Sequence, residues 1–286
     1  MKSAALAGPR GVSAEAAVSA APLRSAALQG RRRLSRYPAK VATFCLVELQ
    51  KLSHDRTELF TRAVQPVLWL VIYGETFSRI RAIPTGHLPY LDFLAPGIIA
   101  QSGLFVAIFY GIQIIWERDA GILTKLLVTP TPRSALVVGK AFSAGVRAMA
   151  QVVVVLLLSL ALGVSLSANP AHLLGAFAIV MMGSAFFACL SMTVAGIVMK
   201  RDRLMGFGQV MTMPLFFASN ALYPVSVMPG WLRVLSKVNP LSYEVDALRG
   251  LLVGTPAHLG QDFGALALAV VVAVAAASSL VNRLAR

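Results

Sequence analysis

Long stretches without a charged side chain limit the fold of this chain more than any other feature. Residues 93–116, 148–171, 171–199, 204–232 and 263–281 contain no Lys, Arg, Asp or Glu. A helix needs roughly 20 apolar residues to cross the hydrocarbon core of a bilayer. A weaker sixth run at residues 63–80 contains Glu75 and Arg79. The sequence therefore predicts an all-α polytopic membrane protein with six transmembrane helices, at about residues 63–80, 93–116, 146–167, 172–199, 205–223 and 263–281.

The amino-acid composition argues against a water-soluble fold. Hydrophobic types make up 57% of the 286 residues and charged types only 13%, whereas a soluble domain carries about 25% charged residues. So few polar side chains do not cover this much apolar surface in water. The net charge of +14 would suggest nucleic acid in a soluble protein, but here the basic residues flank the apolar runs. We therefore expect this chain to contact membrane lipids and no nucleic acid.

The positions of the basic residues predict the orientation of the chain. With the N-terminus inside, 21 of the 26 Lys and Arg residues lie in the predicted cytoplasmic segments. Cytoplasmic loops of membrane proteins carry an excess of Lys and Arg. We therefore predict a multi-pass protein of the cell (plasma) membrane with both termini in the cytoplasm.

Two features precede the first predicted span. Residues 1–38 are rich in Ala, Ser, Gly, Pro and Arg with little periodicity, which predicts a disordered cytoplasmic tail. The residues that share one helical arc within residues 41–60 are Val41, Phe44, Cys45, Leu49 and Leu52. This pattern predicts an N-terminal amphipathic helix at the membrane interface. The alternative is an ordinary charged lead-in to the first span.

The chain lacks the residue patterns of a nucleotide site or an enzyme. A phosphate-binding loop needs Gly, four residues, then Gly-Lys-Ser/Thr. Here Gly139-Lys140 is followed by Ala141, and Ser134 stands where the first Gly should be. The four histidines are scattered without metal-ligand spacing, and no nucleophile has a convincing base and orienting partner. We therefore predict that the chain is not an enzyme and has no catalytic residue, metal or cofactor of its own.

The uncharged runs also bear on the source of energy. Proton-coupled carriers generally need an ionisable group inside the membrane. The five clean runs contain no Lys, Arg, Asp or Glu, and Glu75 lies near the end of its run. A self-powered carrier is therefore disfavoured, and the energy source is predicted to lie outside this chain.

The segment after residue 116 combines charged and apolar residues. The apolar residues on one face of a predicted short helix are Ile122, Leu123, Leu126 and Leu127. Such a helix between two spans offers an apolar surface to a soluble partner, and binding there would move both spans. A surface helix that only packs on the bilayer fits the pattern equally well. Farther along, Lys140 and Arg147 share a helix face, and we interpret them as snorkelling at the inner surface.

The segment at residues 224–262 is long, aromatic, proline-rich and lightly charged. Its prolines, which break it into short pieces, are Pro224, Pro229, Pro240 and Pro256. We predict that this segment lies in the outer membrane interface or re-enters it.

Two motifs resemble those of a known family. The first is Trp116-Glu117-Arg118-Asp119-Ala120-Gly121-Ile122-Leu123-Thr124-Lys125-Leu126-Leu127-Val128-Thr129-Pro130, followed by Gly139-Lys140. The second is Phe216-Phe217-Ala218-Ser219-Asn220-Ala221-Leu222-Tyr223-Pro224, followed by Met228-Pro229, Trp231-Leu232 and Asn239-Pro240-Leu241. With these motifs in order and six predicted spans, residues from about 45 to 282 resemble permease subunits of the bacterial drug and polysaccharide exporter class of ATP-binding-cassette transporters. They are similar to anthracycline-resistance permeases.

The resemblance implies a single transmembrane permease domain at residues 39–286 and a second permease, identical or similar. It also implies two copies of a separate cytoplasmic ATP-binding-cassette ATPase subunit, which would bind ATP and Mg. The helix between the second and third spans would be the coupling helix, with Glu117, Arg118, Gly121, Leu123, Leu126, Leu127 and Pro130. The segment at residues 41–60 would be a connecting helix that also touches the ATPase. A re-entrant hairpin between the fifth and sixth spans would help to form the outer gate, with Tyr223, Pro224, Pro229, Trp231, Asn239 and Pro240.

By the same resemblance, the chain would be the membrane-spanning subunit of an exporter that moves an amphipathic drug-like or lipid-like substrate out of the cytoplasm. The candidates for the substrate cavity are Gln101, Ser102, Phe105, Phe109, Gln113, Met213, Phe216, Phe217 and Asn220. For any one of them, ordinary helix packing is the plainer interpretation. The alternatives are an exporter of a lipid or lipid-linked glycan, a self-powered secondary transporter and a membrane enzyme. The residues do not distinguish lipid or glycan export from drug export. They disfavour the secondary transporter and the membrane enzyme.

Overall fold

The structure is a computed structural model that describes residues 42, 46, 50, 64–80, 85, 88–123 and 133–284. These residues form helices and short connections, with no strand among them, which confirms the predicted helical class. The tail at residues 1–38 and most of the interfacial helix at residues 41–60 lie outside the described residues. So do three residues of the predicted coupling helix, namely Leu126, Leu127 and Pro130.

Eight α-helices follow one another in the described part of the chain. They are α1 (Gly74–Ile80), α2 (Tyr90–Asp119), α3 (Arg133–Ala161), α4 (Pro170–Val198), α5 (Arg201–Phe217), α6 (Gly230–Val238), α7 (Pro240–Val253) and α8 (Leu259–Leu284). A π-helical turn at Trp69–Tyr73 precedes α1, and a short 3₁₀ turn at Val225–Val227 precedes α6.

Four of these helices are long and apolar enough to cross a membrane, namely α2, α3, α4 and α8. Of the other two predicted spans, the first is helical throughout residues 64–80, with the π-helical turn in its middle, and the fifth corresponds to α5, which has 17 residues. The chain is therefore a polytopic helical membrane protein. The count of six spans stays a prediction.

Helix α2 forms the centre of the bundle. It packs against α3, α4, α5 and α7, and most of its length is buried. Its glycines allow neighbouring backbones to approach closely, as small residues do between membrane helices. A Cβ at Gly111 would lie 2.6 Å from the carbonyl oxygen of Ala188 in α4. At the same level, the Ser191 hydroxyl donates a hydrogen bond of 2.7 Å to the carbonyl of Ile108.

The two short helices α6 and α7 occupy the segment in which the re-entrant hairpin was predicted, and we call the pair the α6–α7 hairpin. Asn239 lies between them, and its side-chain oxygen accepts a hydrogen bond of 3.1 Å from the backbone amide of Leu241. Pro240 occupies the first position of α7, where a missing amide hydrogen costs nothing. Helix α7 ends at Gly254, whose φ of 76° suits glycine. The hairpin places α7 against α2, α4 and α8.

Candidate functional site

An ion pair joins the adjacent ends of α2 and α3. The Nζ atom of Lys140 lies 2.7 Å from Oε1 of Glu117, and the two side chains are 8% and 20% exposed. Glu117 lies in the last turn of α2, and Lys140 lies in the second turn of α3. Lys140 therefore turns into the protein instead of snorkelling to the surface as we interpreted from its sequence position.

The same end of α2 is also tied to α4 and α5. The Arg118 guanidinium donates a hydrogen bond of 3.0 Å to the carbonyl oxygen of Met199, the residue that ends α4. Another of its contacts is a 2.9 Å ion pair with Asp119. The Arg201 guanidinium, at the start of α5, lies 5.1 Å from the centre of the Trp116 ring. We call Trp116, Glu117, Arg118, Lys140, Met199 and Arg201 the inner cluster.

Gly121 shapes the chain as it leaves α2. Its φ is 70°, a left-handed conformation in which residues with a Cβ are strained. The turn separates the next two apolar residues, because Leu123 is fully buried whereas Ile122 is exposed. The helix predicted to begin at Glu117 is thus continuous with the spanning helix as far as Asp119. Beyond Leu123, the segment that would complete it lies outside the described residues.

A cavity of about 320 Å³ lies beside α2. It is lined by Gln65, Pro66, Gln101, Ser102, Phe105, Val106, Phe109 and Gln151. Gln101 and Gln151 are 2% and 1% exposed, and their amides have no hydrogen-bond partner in the described part of the chain. The rings of Phe105 and Phe109 stack with centroids 6.4 Å apart. The cavity therefore has an aromatic wall, and two buried amides without a partner among the described residues lie at its edge.

The structure brings only part of the predicted cavity set together. Gln101, Ser102, Phe105 and Phe109 line this cavity, and Gln113 is not among its lining residues. On α5, Met213 is half-buried and Phe217 is exposed. Phe216 is buried with its ring centroid 5.5 Å from that of Trp69. The candidates on α5 are therefore not among the residues that line this cavity.

Asn220 belongs to a polar network that fastens α7. Its side-chain amide donates a hydrogen bond of 2.5 Å to Oδ1 of Asp246. The Arg249 guanidinium donates to the carbonyls of Asn220 and Phe93 at 2.8 and 3.3 Å, and it lies 3.8 Å from the centre of the Phe93 ring. Asp246 and Arg249 escaped the sequence analysis, although their i,i+3 spacing in a lightly charged segment signals such a pair.

The predicted outer-gate residues all lie in the α6–α7 hairpin or in the segment that joins it to α5. The Tyr223 hydroxyl donates to the carbonyl of Phe217, and the Asn239 amide donates a 2.6 Å bond to the carbonyl of Leu215. Pro224 precedes the 3₁₀ turn, while Pro229 and Pro240 precede or begin the two helices. Trp231 is 71% exposed in α6. Two of these six side chains therefore tie the hairpin to α5.

Glu244 is a further buried residue that was not among the predicted site residues. It belongs to the segment predicted to lie in the outer interface, but its side chain is fully buried where α7 meets α2 and α4. Its neighbours at helical spacing, Leu241, Val245 and Leu248, are buried too. That spacing marks one apolar face of a helix. A Glu on such a face is the sequence pattern that could have predicted a buried carboxyl here.

Comparison with known proteins identifies relatives of this chain. The family described as ABC-2 type transporter matches residues 41–253. The "Putative transport permease ycf38" of Pyropia yezoensis is 30% identical over 68% of this chain and 67% of its own length. The "Daunorubicin resistance ABC transporter permease protein DrrB1" of Streptomyces coeruleorubidus is 22% identical over 72% of both chains. The "Nodulation protein J" of Rhizobium meliloti is 25% identical over 76% of this chain and 83% of its own length.

Proposed function

This chain belongs to the ABC-2 type transporter family and is the membrane-spanning subunit of an ATP-binding-cassette exporter; we propose how it is driven and what it moves. Permeases of this family work with an ATP-binding-cassette ATPase. In our proposal two copies of that ATPase, as separate cytoplasmic chains, bind ATP and Mg and supply the energy. The observation that carries the proposal is the family match across residues 41–253.

The coupling step uses the inner cluster. ATP has different affinities for the open and closed ATPase pair, so only the ATPase supplies the bias between states. The connection between α2 and α3 would receive the resulting movement on its cytoplasmic side. Because Glu117 and Lys140 brace the two helices beside that connection, a displacement there moves both helices together.

The substrate is an amphipathic, drug-like or lipid-like molecule that leaves the cytoplasm. The cavity beside α2 supports this class, because it combines aromatic side chains with buried amides. Apolar pockets with a few convergent polar groups are the usual form of small-molecule sites. One relative is named for daunorubicin resistance, which fits a substrate of this kind.

The working transporter contains a second permease, identical or similar to this chain, in the plasma membrane with both termini in the cytoplasm. The α6–α7 hairpin lies on the outer side, re-enters the membrane and serves as the outer gate. Large exposed apolar side chains on the spanning helices suit contact with lipid, for example Leu157, Leu174 and Leu268.

Reconstitution in vesicles tests this function. The chain is incorporated together with its partner ATP-binding-cassette ATPase, and ATP-dependent movement of a fluorescent anthracycline is measured. Transport should require the ATPase and hydrolysable ATP. Uphill movement by the chain alone would contradict the proposal. The same vesicles carrying a fluorescent lipid would reveal export of a lipid instead.

A further inference from the structure

The Glu244 carboxyl lies deep inside the helix bundle. The side chain is 0% exposed, and neither carboxyl oxygen has a hydrogen-bond partner within the described ranges. It projects from α7 toward Gly103 of α2 and Gly183 of α4, residues near the midpoints of two spanning helices. An unpaired carboxylate in such a place is strongly disfavoured, and the group takes up a proton instead.

The carboxyl packs tightly against the backbone of α4. A Cβ added at Gly183 would clash with both carboxyl oxygens of Glu244. A Cβ added at Gly103 would lie 3.8 Å from Oε1 and 3.3 Å from the Ser184 hydroxyl. Gly183 therefore makes room for the carboxyl, which fills the space that a side chain at this position would occupy, whereas the Gly103 position is in ordinary van der Waals contact with it.

Among the residues that the structure describes, no cation forms an ion pair with the Glu244 carboxyl. Helix α7 packs against α2, α4 and α8, and residues 93–116, 173–198 and 263–281 contain no Lys, Arg, His, Asp or Glu. The nearest such groups along these helices and α7 itself are Asp92, His172, Asp246, Arg249 and Asp262. Arg249 is engaged with Asp246, at 3.7 Å, and with two backbone carbonyls.

We propose that Glu244 is a proton-binding site that keeps the α6–α7 hairpin closed, holding its proton while α7 is packed and releasing it to the outer water when the hairpin opens. The gating part rests on the proposed function of the hairpin as the outer gate. The proton enters from and returns to the same aqueous phase, so the step moves no net charge across the membrane. ATP hydrolysis remains the source of energy.

The direction of the pH effect follows from burial. Burial raises the pKa of the Glu244 carboxyl well above its ordinary value of 4.5, because desolvation disfavours the charged form. The packed state therefore binds more protons than the open or unfolded state at pH values above 4.5. Its stability is fully present below that value and falls as the pH rises toward the raised pKa.

The protonation test uses the full-length chain in lipid nanodiscs without the ATPase, so that it does not depend on transport. Infrared spectroscopy at about pH 7 should show the carbonyl band of a protonated carboxylic acid, and Glu244→Gln should remove it. The wild-type melting temperature should fall by about 4 °C or more between about pH 5 and about pH 8. Glu244→Gln, which mimics the neutral acid, should remove most of that fall. Asp202→Asn, which removes an exposed carboxylate on α5, should retain it.

Two results would overturn the proton site: a wild-type spectrum without the acid band, or a band that survives in Glu244→Gln. The infrared measurement on the wild type decides this even if the variant fails to fold. The gating role is tested by export from vesicles at varied outer pH, where Glu244→Gln should flatten the wild-type pH profile. If the wild type exports and the variant shows the same pH profile, the gating role is refuted. If the wild type does not export at all, the proposed function is refuted, and the infrared result is unaffected.

Discussion

Lys140 reaches from α3 to Glu117 at the end of α2, and the 2.7 Å contact between its Nζ atom and Oε1 joins residues 23 positions apart. The segment between the two helices is the region where family resemblance places the contact with the ATPase. The ion pair therefore makes the two spanning helices one mechanical unit at this end of the bundle.

Removing one partner of this pair should weaken both stability and coupling. In Glu117→Gln the largely buried Lys140 ammonium loses its carboxylate, which should cost about 2–3 kcal/mol. We expect a lower melting temperature and fewer substrate molecules exported per ATP hydrolysed, measured in vesicles that contain the ATPase. The double variant Glu117→Lys with Lys140→Glu should restore part of both quantities. Full coupling in Glu117→Gln would show that the pair does not transmit movement.

Gly121 should resist replacement because of its backbone conformation. At a φ of 70°, Gly121→Val should cost about 1–2 kcal/mol, while Gly121→Asn should cost less because Asn tolerates this conformation. Export with the ATPase should follow the same order. The control is Gly206→Ala within α5, where nothing lies near the added Cβ and helix propensity favours Ala by up to about 1 kcal/mol. Equal effects of Val and Asn at position 121 would contradict a conformational role.

The buried amides of the cavity should matter for binding more than for stability. Gln101→Leu and Gln151→Leu replace unpaired polar groups by apolar ones of similar size, so the melting temperature should stay level or rise. If the amides bind substrate, each variant should weaken the Kd for an anthracycline by about 3- to 10-fold, measured by fluorescence titration. Gln113→Leu, outside the cavity lining, is the matched control. A similar loss in that control would assign the effect to general packing of α2.

The Arg249 network should hold the hairpin on the bundle. Arg249→Met keeps the length of the side chain but removes its hydrogen bonds to two carbonyls and its pairing with Asp246, at an expected cost of about 2–4 kcal/mol. Amide hydrogen exchange in α6 and α7 should accelerate, while exchange in α3 should not. The exposed Lys237→Met provides the control on the same hairpin. Unchanged exchange in α7 would show that apolar packing alone retains the hairpin.

Local pattern was sufficient for some of the candidate residues and insufficient for others. Gln101, Phe105 and Phe109 were predictable as a group because residues four apart share one helix face. The sequence did not predict that the candidates on α5 lie outside the cavity lined by those on α2. That outcome depends on which faces of two helices far apart in sequence meet. Asn220 illustrates the same limit: its sequence position beside aromatic residues indicated a cavity wall, whereas its amide bonds to Asp246, 26 residues away.

The sequence by itself determined that this chain is a helical membrane protein, because a backbone without water must satisfy its hydrogen bonds internally and long uncharged runs leave only helices to do so. It also determined that the chain has no phosphate-binding loop of its own, since that motif is local. Only the tertiary structure decided that Lys140 pairs with Glu117 and that Glu244 lies against Gly183 in the bundle. Those outcomes depend on packing between helices far apart in sequence, where the absence of a Cβ at one glycine makes room for a carboxyl from another helix.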